Sequence, residues 1–129
     1  MILANSKKYT LDVAEAMPAD GYDFKPAGTA WSFRELLHHI AYGIHWWEQN
    51  YVKAIEIAWD PPPTKNNKSE IIFYLQQVYS SFTNSISTLT TSNDLVKGFH
   101  ATIDHITHHR GQATLYLRCR GINPPEYLY

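Results

Sequence analysis

The stretch WSFRELLHHIAYGIHWW, residues 31–47, carries the clearest helix signal in the chain. Ser32 and Glu35 have the spacing of a capping box, in which the serine hydroxyl and the glutamate carboxylate each accept a hydrogen bond from a backbone amide at the start of a helix. Apolar residues then recur every three or four positions, the pattern of one buried helix face. These residues are Phe33, Leu36, Leu37, Ile40, Ile44, Trp47, Tyr51 and Ile55. The pattern predicts a long helix that ends at Asp60 and the prolines 61–63, because proline cannot continue the hydrogen-bond ladder.

Two other segments have helical patterns. Residues 2–16 contain neither glycine nor proline, and Pro18 follows them. A further helix is predicted from Asn67, where Glu70 three residues later forms a weaker capping box. Its apolar periodicity continues to about Leu89.

A last helix is predicted to start near Asn93 or Asp94 and to stop at Gly121, since glycine readily takes the left-handed conformation that ends a helix. Strand-like alternation of apolar and polar residues is absent throughout. The sequence therefore predicts an all-α protein, a four-helix bundle that forms a single domain over residues 1–129.

Composition narrows the classes of function. Hydrophobic residues make up 44% of the 129 residues and charged residues 18%, which excludes wholesale disorder. Eleven Lys and Arg nearly balance twelve Asp and Glu, for a net charge of −1. This balance gives no electrostatic reason to expect nucleic acid or an anionic membrane as a partner. No apolar run reaches the roughly 20 residues of a membrane-spanning helix.

The single cysteine, Cys119, indicates a reducing compartment, because it has no partner for an internal disulfide. Residues 1–8 also lack a basic region followed by an apolar signal core. We therefore expect a cytoplasmic location. No histidine lies at a nearby helical position to activate the thiol, so Cys119 is predicted to be buried and apolar.

Histidines are the most unusual feature of the composition: there are seven, in two clusters. His105 and His109 are four residues apart, so their imidazoles project from one helix face and can share an ion. A pair of half-exposed histidines with no ligand role is the alternative. Of the adjacent His38 and His39, only one can face the bundle interior. The helical wheel favours His39, on the apolar flank beside Gly43, and places His38 on the polar side, although His38 remains possible.

Three neutral imidazoles from two helices would form a metal site with an open position, as catalytic sites have. Gln112, one turn beyond His109, is expected either to hold a ligand ring or to make an ordinary hydrogen bond within the bundle. Gly111 suggests close helix approach or local packing tolerance. Arg110 is expected to form an ion pair or to lie in solvent.

Tryptophans near the predicted site suggest a pocket. Trp46 faces the flank of His39 and is the candidate pocket residue, whereas Trp31 and Trp47 are predicted to belong to the core. No catalytic triad, phosphate-binding glycine loop or isolated carboxylate pair is present. No residue is an evident general base, so the catalytic residues stay undefined and any chemistry rests on the histidines.

The strings WSFRELLHHI (31–40) and DHITHHRGQ (104–112) resemble the DinB-like family of metal-binding four-helix bundles. The segments MPADGYDFKP (17–26) and YLRCRGINPP (116–125) are also similar to this family, so the resemblance covers nearly the whole chain. It implies an up-down-down-up bundle, a divalent metal ion such as zinc or nickel, and frequent homodimers. By this resemblance the metal ligands are His39, His105 and His109.

The resemblance also implies a class of reaction. Better-understood relatives use their metal in thiol chemistry, including transfer to low-molecular-weight thiols and thiol-dependent isomerisation. We therefore expect a metal-dependent enzyme that acts on a small molecule, with a low-molecular-weight thiol as a possible partner. A metal-dependent hydrolase, a non-enzymatic metal-binding dimeric bundle and a metal-free bundle that acts by association are the alternatives.

Overall fold

Four α-helices and no strands form the protein in the computed structural model, which describes residues 1–129. The helices are α1 (Ile2–Ala16), α2 (Phe33–Trp47), α3 (Lys68–Ser87) and α4 (Asn93–Cys119). The predicted all-α class is confirmed. None of these helices combines the length and the apolar character that crossing a bilayer demands.

The predicted helix ends agree with the structure where they rest on local chemistry. Ser32 Oγ accepts a hydrogen bond from the Glu35 amide at 3.1 Å, and the Ser32 amide donates to Glu35 Oε2 at 2.7 Å. Asn67 Oδ1 accepts from the Glu70 amide at 3.0 Å at the start of α3. Gly121 has a φ of 74°, the left-handed conformation predicted after α4. The capping box at Ser32 and the glycine stop are confirmed. At Asn67 only the side-chain cap forms, because the Glu70 carboxylate accepts instead from the Asn66 amide at 2.9 Å.

The second helix is shorter than predicted, because a π-helical turn, Glu48–Val52, follows Trp47. A π-helical turn is wider than an α-helical one and so rotates the residues after it out of the apolar stripe. Tyr51 and Ile55, predicted on the buried face, are 38% and 53% exposed. The turn includes the buried Glu48, whose carboxylate accepts a hydrogen bond from Ser81 Oγ of α3 at 2.8 Å.

The bundle places α1 and α2 on opposite corners, since each packs against both α3 and α4. α3 runs antiparallel to α1. At one end of this pair, Ser6 Oγ and the Tyr79 hydroxyl share a hydrogen bond of 3.0 Å. At the other end, Lys68 Nζ donates to the Glu15 carbonyl at 2.8 Å.

α2 and α4 form the antiparallel pair that positions the candidate site. The Tyr116 hydroxyl near the end of α4 donates to the carbonyl of Trp31, just before α2, at 2.8 Å. Near the start of α4, Gly98 lies against the Tyr51 side chain that follows α2. Residues 39 and 105–109 therefore lie at the same level of the bundle.

A crossover, residues 53–67, returns the chain along α2, so that α3 runs parallel to α2. Arg34 Nη1 donates to the Lys65 carbonyl at 2.9 Å. His38 Nε2 donates to the Pro62 carbonyl at 3.2 Å, and its Nδ1 accepts from the Lys65 amide at 3.4 Å. The predicted up-down-down-up topology is confirmed. His38, expected on the polar side, is 4% exposed because this crossover covers it.

The core lies between the apolar faces of the four helices. Its largest fully buried side chains are Met17, Phe33, Leu36, Leu37, Ile40, Ile44, Ile71, Leu75, Tyr79, Phe82, Ile106 and Leu117. Cys119 does not belong to it: the thiol is exposed, and the prediction of a buried cysteine is wrong. Cys119 is the last residue of α4 and lies past Leu117, where the helix leaves the bundle.

Candidate metal centre

His39 of α2 and His105 and His109 of α4 converge on one point. His39 Nε2 lies 2.9 Å from His105 Nε2 and 3.1 Å from His109 Nε2. All the candidate ligand atoms lie within 4.8 Å of one another. Nitrogen ligands about 2.0–2.1 Å from one ion lie about 2.9 Å apart at right angles and about 3.3 Å apart at tetrahedral angles. The two short separations therefore match those of nitrogen ligands on one divalent ion, and the three rings together form a group that could hold one.

A glycine on α2 makes room for this convergence. A Cβ at Gly43 would lie 2.3 Å from His105 Cε1 and 2.6 Å from His105 Nδ1. The sequence shows Gly43 one turn after His39 on the same flank, but its contact with His105 depends on how α2 and α4 pair. By contrast, nothing lies within 4 Å of a Cβ at Gly111, so the close approach considered for that glycine is absent.

Gln112 fixes the orientation of one ring. His109 Nδ1 donates a hydrogen bond to Gln112 Oε1 at 2.8 Å. This bond places the proton on Nδ1 and leaves the lone pair on His109 Nε2, the atom that lies 3.1 Å from His39 Nε2. The structure thus places Gln112 against a ring of the cluster, the first of the two roles considered for it. His105 Nδ1, in contrast, is buried with no hydrogen-bond partner.

The electrostatics of the cluster favour neutral imidazoles. Burial, together with the neighbouring His109, lowers the pKa of His39 and of His105 to about 4. Burial also lowers the pKa of His109, although the hydrogen bond to Gln112 opposes the shift. Near pH 7 all three rings are therefore neutral, which is the form that binds a metal ion.

Two tryptophans lie beside the histidines, and both are 45% exposed. The centroid of the Trp31 ring is 4.6 Å from that of His39 and 5.9 Å from that of His109. The Trp59 ring lies 5.4 Å from His39 and 6.5 Å from His105. The prediction that Trp31 belongs to the core is wrong, because it precedes the Ser32 cap and packs on the outer side of the cluster. Trp59 lies in the irregular crossover, where no periodic signal marks it.

Trp46, the predicted pocket residue, packs against Trp59 with 5.7 Å between ring centroids, and so reaches the cluster through that ring. Its Nε1 is buried with no hydrogen-bond partner. Trp47, predicted to belong to the core, is only half-buried and packs against Tyr51 at 5.0 Å.

A cleft of about 440 Å³ borders the cluster on the side of His109. Trp31, Leu115 and Tyr116 form its apolar wall, and Gln112 also lines it. A larger recess, of about 600 Å³, lies between α1 and α3, but no histidine lines it. Of these two recesses, only the cleft beside His109 borders a ring of the cluster.

Comparison with known proteins identifies the family and the fold of the chain. The model of the DinB superfamily matches residues 2–116. A DinB-like protein from Bacillus cereus has a crystal structure with a TM-score of 0.82 and 17% identity, over 97% of this chain and 92% of that one. A DinB-like protein from Bacillus subtilis gives a TM-score of 0.77 and 18% identity, over 98% and 95%. No curated protein matches.

At such identities the two crystal structures establish the shared fold, and the sequence match establishes the kinship. The fold of this chain agrees with both crystal structures over nearly its whole length. The chain belongs to the DinB superfamily.

Proposed function

We propose that this protein is a metal-dependent enzyme in which His39, His105 and His109 hold a divalent ion, zinc or nickel. The observation that carries the proposal is the convergence of three Nε2 atoms from two helices, 2.9 and 3.1 Å apart at the two short contacts. Structural zinc sites commonly have four protein ligands, whereas catalytic sites have three and leave a position for substrate. The group here has three members, which supports catalysis.

The chain's own residues prepare the site. Gln112 Oε1 accepts a hydrogen bond from His109 Nδ1, which keeps the proton on Nδ1 and leaves Nε2 available as a ligand. Burial keeps the rings neutral, which avoids competition between protons and the ion near pH 7. Trp31 and Trp59 cover two sides of the cluster and limit the access of water. When bound, the ion supplies a Lewis acid that lowers the pKa of a coordinated thiol or water.

The proposed reaction is transfer of a low-molecular-weight thiol to a small electrophilic substrate. Zinc and nickel accept soft thiolate ligands, and the resemblance to thiol-using relatives points the same way. The wall formed by Trp31, Leu115 and Tyr116 would hold the apolar part of the substrate next to His109. By the same resemblance we propose a homodimer that acts in the cytoplasm.

A second candidate is a structural metal site. His39 comes from α2 and the other two histidines from α4, so a bound ion would link these helices. Removing the metal would then lower the melting temperature strongly, and no added ligand would enter the coordination sphere. A metal-dependent hydrolase, the third candidate, would instead cleave ester or amide substrates without any thiol.

Cobalt spectroscopy of the full chain tests the proposal. Protein loaded with Co²⁺ is titrated with cysteine, and with serine as the oxygen analogue. We expect a thiolate-to-cobalt charge-transfer band with cysteine alone. We also expect the metal-loaded protein to accelerate the reaction of cysteine with monobromobimane, in which the sulfur bonds to carbon and bromide leaves. A bound ion that gives no band and no acceleration would contradict thiol transfer.

A further inference from the structure

Arg110 is a buried cation without an acidic partner. It follows His109 on α4 but faces α1, and only 5% of it is exposed. None of the protein's ion pairs includes it. The expectation that Arg110 forms an ion pair or lies in solvent is therefore wrong: its neighbours are on α1, which the local sequence does not reveal. A buried unpaired charge is costly, so this position needs an explanation.

The contacts of the guanidinium satisfy only part of it. Nη1 donates to Ser6 Oγ at 3.3 Å, and to the Ser6 carbonyl and Thr10 Oγ1 at 3.4 Å each. These bonds are long, and both hydroxyls also bond the Tyr79 hydroxyl. The Tyr9 ring lies 4.6 Å from the guanidinium carbon. Nε and Nη2 have no hydrogen bond within the protein, and both keep some contact with solvent. Donors of Arg110 therefore remain free and open to the adjoining space.

That space consists of two adjoining recesses of about 240 and 170 Å³. Arg110, Thr107 and Tyr127 line both of them. Ile103 gives the larger one an apolar wall, and no acidic or second basic side chain lines either. An apolar cavity of about 150 Å³ can hold a benzene ring. Each recess thus has room for a ring-sized apolar group beside a single positive charge.

The C-terminal residues cover this space. The Tyr127 ring packs edge-on against Tyr9, with 5.5 Å between centroids. Leu128 and Tyr129 line the larger recess. Tyr127 is 59% exposed, so it can shift without disturbing the core.

We propose that Arg110 and the two recesses form a binding site for a small organic carboxylate. The planar guanidinium pairs with both oxygens of a carboxylate, and the apolar part of the ligand lies against Ile103 and Tyr127. A carboxylate fits better than a phosphate, because one arginine balances one negative charge and a second charge would lie unpaired among apolar walls. This site lies between α4 and α1, whereas the histidine cluster lies between α4 and α2, so the two sites are on different sides of α4.

Titration of the full chain with benzoate tests this site, with benzamide as the uncharged analogue and inorganic phosphate as the competing anion. We expect benzoate to bind saturably, to shift the NMR signals of Thr107 and Tyr127, and to raise the melting temperature. Benzamide should bind about tenfold more weakly or worse, which corresponds to the loss of a charge-assisted contact. Phosphate should also bind about tenfold more weakly or worse, because its second charge has no partner in the recesses. Equal binding of benzamide, tighter binding of phosphate or no saturable binding of benzoate would overturn the proposal.

Variants locate the site. Arg110→Gln should weaken benzoate binding about tenfold or more, whereas Arg118→Gln, at an exposed arginine of the same helix, should leave it unchanged. If Arg110→Gln does not fold, Tyr127→Ala serves instead, because the exposed Tyr127 can be removed without opening the core. We expect this variant to bind benzoate several-fold more weakly. Unchanged binding in a folded Arg110→Gln variant, or in Tyr127→Ala, would contradict the assignment.

Discussion

The imidazole of His105 occupies the space that a side chain at Gly43 would fill. A Cβ at Gly43 would lie 2.3 Å from His105 Cε1, closer than two carbon atoms can approach without displacement. The atoms in the way belong to a side chain and not to the backbone, so the ring would move while the helices stay packed. Gly43 therefore determines where the His105 nitrogen lies relative to His39 and His109.

Gly43→Ala tests this relationship. We expect the variant to fold, because alanine favours a helix by about 1 kcal/mol over glycine. Its affinity for zinc should fall about tenfold or more, since His105 Nε2 leaves the cluster. Gly111→Ala is the matched control, because nothing lies within 4 Å of its added Cβ. Equal zinc affinity in Gly43→Ala and the wild type would show that the ring has room to adapt.

Gln112 should affect metal binding through His109 alone. Gln112→Ala removes the acceptor of the 2.8 Å hydrogen bond from His109 Nδ1, so that the ring can rotate and change tautomer. We expect zinc affinity to fall roughly 10–100-fold, the usual effect of losing such a partner. Gln112→Glu keeps an acceptor oxygen and should restore most of the affinity. Isothermal titration calorimetry measures all three proteins, and an unaffected Gln112→Ala variant would refute this role.

The stability of the metal-free protein should fall as the pH falls from 6.5 towards 4. In the folded chain the pKa values of His39 and His105 are about 4, against an ordinary value of about 6.5 in the unfolded chain. Between these values the unfolded state binds protons that the folded state does not, so acid favours unfolding. Well above pH 6.5 both states are neutral at these rings, and this dependence ends.

Melting temperatures from pH 5 to pH 7 measure the effect. The double variant His39→Gln/His105→Gln lacks both titrating rings and should lose less stability than the wild type over this range. Parallel curves for the two proteins would show that these histidines do not have lowered pKa values. The comparison with the variant separates the histidines from the carboxylates, which titrate mainly at lower pH.

His38, adjacent to His39, should contribute to folding and not to metal binding. His38→Ala removes hydrogen bonds to the Pro62 carbonyl and the Lys65 amide. We expect a loss of about 1–3 kcal/mol in the free energy of unfolding, from the two lost hydrogen bonds and the lost packing of the buried His38 ring. Hydrogen exchange at the Lys65 amide should become faster, while zinc affinity should change little. A large loss of zinc affinity in a folded His38→Ala protein would contradict this division.

Features that rest on local chemistry could be predicted from the sequence. The Ser32–Glu35 capping box involves residues three positions apart, and the four-residue spacing of His105 and His109 places both on one helix face. His39 could be favoured over His38 by the same reasoning. The pairing of α2 with α4 could be expected only from the family resemblance, because nothing local brings residue 39 to residue 105.

Features that depend on distant contacts were missed. The π-helical turn at Glu48 includes a carboxylate that accepts from Ser81, a residue of another helix. Arg110 lies buried because it packs against α1, where the hydroxyls of Ser6 and Thr10 accept hydrogen bonds from its guanidinium. Trp59 reaches the histidines from a segment with no periodic pattern. In each case the partner lies far away along the chain, and only the packed bundle reveals it.

A competition titration with zinc and a chromophoric chelator tests the central claim most directly. We expect the wild type to bind a single ion per chain, and His39→Ala, His105→Ala and His109→Ala each to lose more than the roughly 10–100-fold that removing a ligand's hydrogen-bond partner costs. His100→Ala, at an exposed histidine of α4, should bind as the wild type does. If the wild type binds no ion, or the three variants bind zinc as tightly as the wild type, the three histidines do not form a metal site.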